Sequence, residues 1–433
     1  MPIDAPAGNT QHCVSGPAAV TAPDPLDAWA DSGVVALTGR ADGPPLVPPG
    51  RAAAVARELS ARLAALTCGG RHPVELDGAR LLSERAAFTG HRRRGAVSAG
   101  GSCRLLPTAD GWAAVSCARP DDPALFGALV GGDIGDDPWP AVTGWLSEHT
   151  GAEFTERAVL LGVAAGPVHR PVGPPALPVP PATREVDGLL VVDFSALWAG
   201  PLCAHLLGLA GARVIKVETP YRPDGARQGN SEFYRLLHAG HRSVVLDPGT
   251  PGGRRALAAL VEAADIVIEA SRPRALARWG LDAEAVAAAG AVWVSITAYG
   301  RRADRIGFGD DVAAASGLVA HDTDGTPLFC GDAIADPLTG LTAAILAMTA
   351  PADGTGVLWD VAMSEVVAAT LDAAAETPVS APAARLLDGG WVVDTPYGPV
   401  PVAVPQRRQV TGRAAHSGEH TAQVLRELRI PVP

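Results

Sequence analysis

Lysine is almost absent from this chain. Of its 35 basic residues 34 are arginine, and Lys216 stands alone in the run Val-Ile-Lys-Val-Glu. With the excess of Ala, Gly and Pro, this points to a GC-rich coding bias of actinobacterial type. Under such a bias the surviving lysine is either chemically required or a chance survivor. No run reaches the roughly 18 unbroken apolar residues of a spanning helix, so no membrane segment is expected although mean hydropathy is +0.16. The first thirty residues lack a basic start followed by an apolar run, so no secretory leader is expected and the cytoplasm is the expected location. Basic charge is in deficit, with a net charge of −11, which turns away from nucleic acid as a partner. The six cysteines have no C-x-x-C spacing, so reduced, buried thiols and no metal site are expected. No G-x-G-x-x-G is present either. That argues against a dinucleotide oxidoreductase, although Glu218 ends a strand as a ribose-binding acid would.

What is present is clearest from Asp187 to Glu218. Leu-Leu-Val-Val-Asp-Phe is a short apolar run of the buried parallel type. Gly200-Pro201 breaks the chain, with the proline in the first turn of a helix, where it is tolerated. An apolar face follows from Leu202 to Leu209, Gly208 and Gly211 end it, and Arg-Val-Ile-Lys-Val-Glu returns as a second strand. A strand–turn–helix unit of this kind sets a helix N-terminus beside a strand's carboxyl end, a natural seat for phosphate.

The same residues resemble the opening of the class III coenzyme A transferases, the family of formyl-CoA and carnitine CoA-transferases with the α-methylacyl-CoA racemases as relatives. That opening reads as a strand ending in D-x-[ST], then A-G-P-x-C, a helix, and G-A-x-V-I-K-V-E. The resemblance continues in order through Phe233–Asp247, Ala264–Leu281, Val294–Gly300 and Asp324–Gly340. It implies an α/β fold, a Rossmann-like, mostly parallel sheet with helices on both faces, bearing a smaller α+β domain. It also implies an enzyme that takes acyl-CoA and a carboxylic acid as substrates, with no cofactor beyond coenzyme A itself.

Composition divides the chain further. Residues 1–25 are rich in Pro, Ala and Gly and read as a disordered tail. The proline-dense stretch 166–186 reads as an extended linker. Residues 187–375 form the expected CoA-binding core, and 376–433 a closing segment with a β-rich tail. Residues 26–165 are expected to hold a degenerate partial copy of the core followed by the family's small domain. Leu26–Gly50 parallels Asp310–Gly331, with Ser32-Gly33 on Ser316-Gly317 and Asp42-Gly43 on Asp324-Gly325. Each is followed by an alanine-rich helix and an expected strand ending in aspartate, at Asp77 and Asp360. This order departs from the family's. A homodimer and a single chain whose N-terminal part replaces a partner are both open.

Asp336, in Ala-Ile-Ala-Asp-Pro-Leu-Thr-Gly, falls where the family places its catalytic aspartate. The resemblance implies nucleophilic catalysis through an aspartyl anhydride and an aspartyl-CoA thioester. The local pattern, Asp-Pro before an apolar helix, reads equally as a helix N-cap. In the N-terminal copy the aligned residue is Ala54 or a neighbour, and no acid lies between Gly50 and Arg57, so no second site of this type is expected. Asp310 stands where the racemases have a histidine, and with Asp311 reads otherwise as a solvated loop acid. The loop Leu197-Trp198-Ala199-Gly200 is expected to face the thioester and pantetheine. The formyl-CoA branch has glutamine at Trp198, and an aromatic there suits an apolar or aromatic acyl group. Arg278 and Trp279 match a position near the CoA adenosine, where an arginine fork suits a 3′-phosphate. Leu246 and Ser271 match adenine-pocket positions. His238 and His241 replace the family's asparagine and lysine and read as exposed. The expected function is transfer of CoA between an acyl-CoA and a carboxylate. The alternatives are an acyl-CoA racemase or isomerase on the same fold, and a CoA-binding protein without turnover.

Overall fold

The runs Leu190–Asp193 and Ile266–Glu269 are buried along their whole length, as strands covered on both faces must be. In the computed structural model of the chain, which describes residues 24–169, 175–271, 273–372 and 380–433, they lie side by side in a six-stranded parallel sheet. The expected tail over the first residues lies almost wholly outside the described residues.

From the amino end, helices α1 (Pro25–Asp31), α2 (Ala52–Thr67), α3 (Gly78–Leu81) and α4 (Glu84–Thr89) precede a hairpin of β1 (Cys103–Thr108) and β2 (Gly111–Ser116). Helices α5 (Asp122–Val130), α6 (Trp139–Ser147) and α7 (Gly151–Leu161) follow, and β3 (Ala165–Pro167) pairs antiparallel with β2. This α+β unit has its own core, in which Phe126, Leu129, Val142, Leu146 and Phe154 are fully buried.

The large sheet comes next. Its first half is β4 (Leu190–Asp193), α8 (Ala199–Leu209), β5 (Arg213–Glu218), α9 (Ser231–His238) and β6 (Arg242–Val245). Helix α10 (Pro251–Glu262) returns the chain to β7 (Ile266–Glu269), and α11 (Pro273–Ala277) and α12 (Ala283–Ala288) lead to β8 (Val292–Thr297). Helix α13 (Gly309–Ala315), the short pair β9 (Val319–His321) and β10 (Pro327–Phe329), and α14 (Ala335–Ala347) precede β11 (Val357–Ala362) and α15 (Met363–Ala368). The order is β11-β8-β7-β4-β5-β6, with every pairing parallel. The α/β class expected from the sequence is what the chain forms. The chain winds outward in both directions from the β4/β7 boundary, so the carboxyl ends of these strands border a crevice.

One face of the sheet packs on α8 and α14, the other on α10 and the last helix. Gly340 lets α14 close on α8, since a Cβ there would lie 2.7 Å from the Ala199 carbonyl oxygen. Helices α1 and α2 join this same core through Trp29, Ala53 and Leu63, so a single core continues across the proline-dense stretch. Part of that stretch is tied down by a hydrogen bond from Ala350 N to Ala182 O.

The helices of the two parallel segments come in the same order, α1, α2 and α3 in one and α13, α14 and α15 in the other, but β9 and β10 have no strand counterpart between α1 and α2. Gly33 and Gly317 both take positive φ. One expectation fails: residues 74–77 form no strand, whereas β11 pairs with β8. Among the described residues no strand pairs with residues 74–77. The closing segment holds the antiparallel sheet β12 (Arg385–Leu387), β13 (Gly390–Thr395) and β14 (Gly398–Pro401). These strands form the expected β-rich part of the tail, and the chain continues past them to α16 (Thr421–Glu427). Val424 and Leu425 of α16 are fully buried against the second face of the sheet. Cys68 is exposed, unlike the buried thiols Cys103, Cys203 and Cys330. Among the described residues no helix is long and apolar enough to cross a membrane, and no group of three or more His, Cys, Asp or Glu side chains could hold a metal ion.

Candidate active site

The loop after β4 is held from below by buried charge. The Asp193 carboxylate accepts hydrogen bonds from the Ser195 backbone N–H at 2.8 Å and from its hydroxyl. Lys216, 2 % exposed, donates to the Ser195 carbonyl and pairs with Asp224 at 3.0 Å and Asp193 at 3.6 Å. Asp224 accepts in turn from Leu197 N at 3.0 Å. Burial alone would lower the Lys216 pKa, but the two carboxylates hold it above the ordinary lysine value. The clamp fixes Leu197 at φ +69°, a left-handed conformation that costs a branched residue about 1–2 kcal/mol. The lone lysine therefore acts as a structural ion, and Glu218 binds Arg227 and Asp224 N.

Helix α8 starts where this loop ends, and Ala199 N donates to the Asp336 carboxylate at 3.3 Å. Asp336 is the second residue of α14 and caps nothing in its own helix. It is half-buried. Its carboxyl is pushed up to about 7, chiefly by burial; Arg85 and the Ala199 N–H oppose the rise, and Asp310 and Asp332 reinforce it. A Cβ on Gly309 would collide with Asp336 Oδ2, so the first residue of α13 must be glycine for the carboxylate to sit here.

Asp310 and Asp311 open α13 and are 8 % and 0 % exposed, which corrects the reading of solvated loop acids. Asp310 accepts from Ala333 N at 2.7 Å, and burial together with Asp332 raises it to about 6. Asp311 accepts from the Ser116 hydroxyl at 2.7 Å and from Phe308 N at 2.9 Å, tying α13 to β2 of the smaller unit. Burial lifts Asp311 to about 7. Asp332 is fully buried and takes a two-point ion pair from Arg85 of α4, with His91 Nδ1 at 3.2 Å; Arg85 holds it well below the ordinary carboxylate range. Arg85 also lies over the Trp198 ring, 5.2 Å from its centroid.

Asp336 stands where two clefts meet. The smaller, about 170 Å³, lies at the carboxyl ends of β7 and β8 and is lined by Ser271, Thr297 and Arg305 among others. The larger, about 650 Å³, opens toward the N-terminal segment and is walled by Trp198, Phe233, Phe308, Arg85 and Arg119. Leu197, Phe308 and Asp336 line both.

The structure thus brings Leu197, Trp198, Ala199, Asp310 and Asp336 together, with Ser271 at the rim of the smaller cleft. Gly200 is buried in α8 against Ser195. Leu246 is buried in the second core, Trp279 packs against that core and Arg278 is exposed; none of the three lines either cleft. His238 and His241 are buried rather than exposed, because α9 turns its last residues onto the clamp; burial beside Lys216 drives both imidazoles down, His241 to about 3. Arg85, His91, Arg119 and Phe233 were not legible as site residues. Among 34 arginines nothing local distinguishes Arg85. Asp332 carried a faint signal, four residues before Asp336.

Residues 186–386 match the family model described as CoA-transferase family III, which bears out the resemblance over that segment. The chain is 31% identical over 207 residues to a succinyl-CoA–D-citramalate CoA-transferase of Chloroflexus aurantiacus, covering 44% of this chain and 52% of that protein. It is 32% identical over 217 residues to a succinate–glutarate CoA-transferase of Agrobacterium fabrum, covering 45% and 54%. A formyl-CoA:oxalate CoA-transferase of Rhodopseudomonas palustris is 32% identical over 191 residues, 39% of this chain and 43% of that one. The chain thus spans about half the length of the curated relatives it matches. Among solved structures, a CAIB/BAIF family protein from Brucella suis is 28% identical over 43% of this chain and 55% of its own, with a TM-score of 0.39.

Proposed function

We propose that this protein moves coenzyme A from an acyl-CoA to a carboxylic acid, with Asp336 as the nucleophile. The observation that carries this reading is one half-buried carboxylate at the meeting of two clefts, touched by the first N–H of α8. An Asp336 oxygen attacks the thioester carbonyl carbon, the C–S bond breaks and CoA leaves as thiolate. The thiolate then attacks the Asp336 carbonyl carbon of the resulting anhydride, releasing the donor acid and leaving an aspartyl-CoA thioester. An acceptor carboxylate reverses both steps and leaves as the new acyl-CoA. The N-termini of α8 and α14 meet at this carboxylate, and their N–H groups favour the negative charge that develops there. Because Asp336 ionises only near 7, the first step should quicken as pH rises to that value. The sequence relatives, whose printed names are CoA-transferases, support the same reading.

The test is to incubate the protein with acyl-CoAs, quench with hydroxylamine and map hydroxamate by peptide mass spectrometry. Label confined to the Asp336 peptide and absent from Asp336→Asn is the expected result. A second reading has its own observation: Asp310 and Asp336 line one cleft, both with raised pKa values, as an acid–base pair for proton exchange at an acyl α-carbon would be. Deuterium entering the α-carbon without any acceptor acid would favour it; CoA transfer predicts none.

A further inference from the structure

The larger cleft has cations on its wall, yet each is already committed. Both nitrogen contacts of Arg85 go to Asp332, at 2.9 and 2.5 Å, and His91 Nδ1 turns to the same carboxylate. Arg119 donates to Asp122 at 2.9 Å and to the Gly162 carbonyl at 2.8 Å, and Asp122 is itself fully buried. Two acids, Asp310 and Asp336, line the cleft, and neither forms an ion pair among the described residues. Thr89, Ser102 and Asn230 are the neutral polar side chains of the lining, and the larger apolar ones are Leu197, Trp198, Phe233, Phe308 and Pro120. Trp198 and Phe233 meet edge to face at 5.3 Å, giving a rigid aromatic wall. The Trp198 indole N–H is buried and has no hydrogen-bond partner among the described residues.

We infer that the larger cleft takes the acyl group, and that this group is an apolar monocarboxylate residue, aromatic or branched, rather than one bearing a second carboxylate. The inference rests on the CoA-transfer reading. A dicarboxylate would set its remote charge in a partly desolvated cleft that is already negative, where each nearby guanidinium is neutralised by its own acid. An apolar acyl group instead packs on the apolar part of the lining, and about 650 Å³ is ample for a phenyl-sized group.

The test compares phenylacetyl-CoA with succinyl-CoA in two measurements. Calorimetric titration of the Asp336→Asn protein reads affinity without turnover, and hydroxylamine trapping on the unaltered protein reads acyl transfer. Phenylacetyl-CoA is expected to bind at least tenfold more tightly and to give the stronger Asp336 label. Equal or reversed affinity overturns the assignment of the acyl class, whatever the label shows. A tenfold preference with no label on Asp336 leaves the acyl class standing and overturns the transfer reading. Ala226→Arg, at a half-buried position in the 3-10 turn Gly225–Gln228 of the cleft wall, supplies an uncommitted cation and should move the preference toward succinyl-CoA by tenfold or more. No movement in a folded Ala226→Arg protein would count against an electrostatic origin of the selectivity.

Discussion

Helices α2 and α14 pack against one another, both alanine-rich and both following an Asp-Gly turn. At their second residues one carries Ala53 and the other Asp336. Ala53 is fully buried among apolar neighbours, whereas Asp336 meets an N–H from α8, a gap left by Gly309, and the field of Arg85. Arg85 comes from the segment whose own helix, α2, has no acid in its first turn. What distinguishes the two helices is therefore their surroundings more than their sequence. A carboxylate can stand at the second position of α14 because elements from three parts of the chain leave it room and offset part of its charge.

Substituting Asp336 by Asn makes α14 electrically like α2, and should cost the proposed transfer on the order of a thousandfold or more, read as acyl-CoA turnover. Arg85→Met would leave Asp332 buried without its cation, at a cost of about 3–5 kcal/mol. Urea unfolding would show it, and an unchanged midpoint would mean that Asp332 finds another partner. The reverse exchange, Ala53→Asp, places an acid in α2 without support and should destabilise by about 2–4 kcal/mol at pH 8. The loss should shrink toward pH 5, because the buried carboxyl can then stay protonated. Gly309→Ala should cost about 1–3 kcal/mol of overpacking and displace Asp336. If its activity falls no further than its stability, the gap at Gly309 has no role in placing the carboxylate.

The last effect is a slope, small over any one pH unit. With Asp336 raised to about 7 against an ordinary 3.8, the folded state holds a proton that the unfolded chain has already released between those values. Stability contributed there is present at low pH and lost as pH rises through this window, by at most about 1.4 kcal/mol per pH unit. Asp336→Asn should be more stable than the unaltered protein above pH 7, with the two converging near pH 4. Parallel curves across that range would mean that the carboxyl titrates normally.

Much of this was open to inspection in the chain itself. Strand-length runs of Val, Ile and Leu, buried on both faces, required a parallel sheet, and Gly200-Pro201 marked the turn into α8. Asp336 was legible through its motif. Short-range patterning dictates these features, since strand and helix periods and turn chemistry act over a few residues. Burial of charge did not show. Asp310, Asp311, His238 and His241 read as exposed polar residues, because no local pattern reveals which neighbours will cover a side chain. Arg85 lies 247 residues from the Asp332 it pairs with, and the aromatic wall joins α9 to the loop before α8.

The sequence by itself thus determined the α/β sheet, its crevice and the acid at the head of α14. Only the tertiary structure decided that this acid is half-buried, that its neighbouring cations are already neutralised, and that the lone lysine clamps a loop. Periodicity is a property of neighbours along the chain, whereas desolvation and charge pairing depend on neighbours in space.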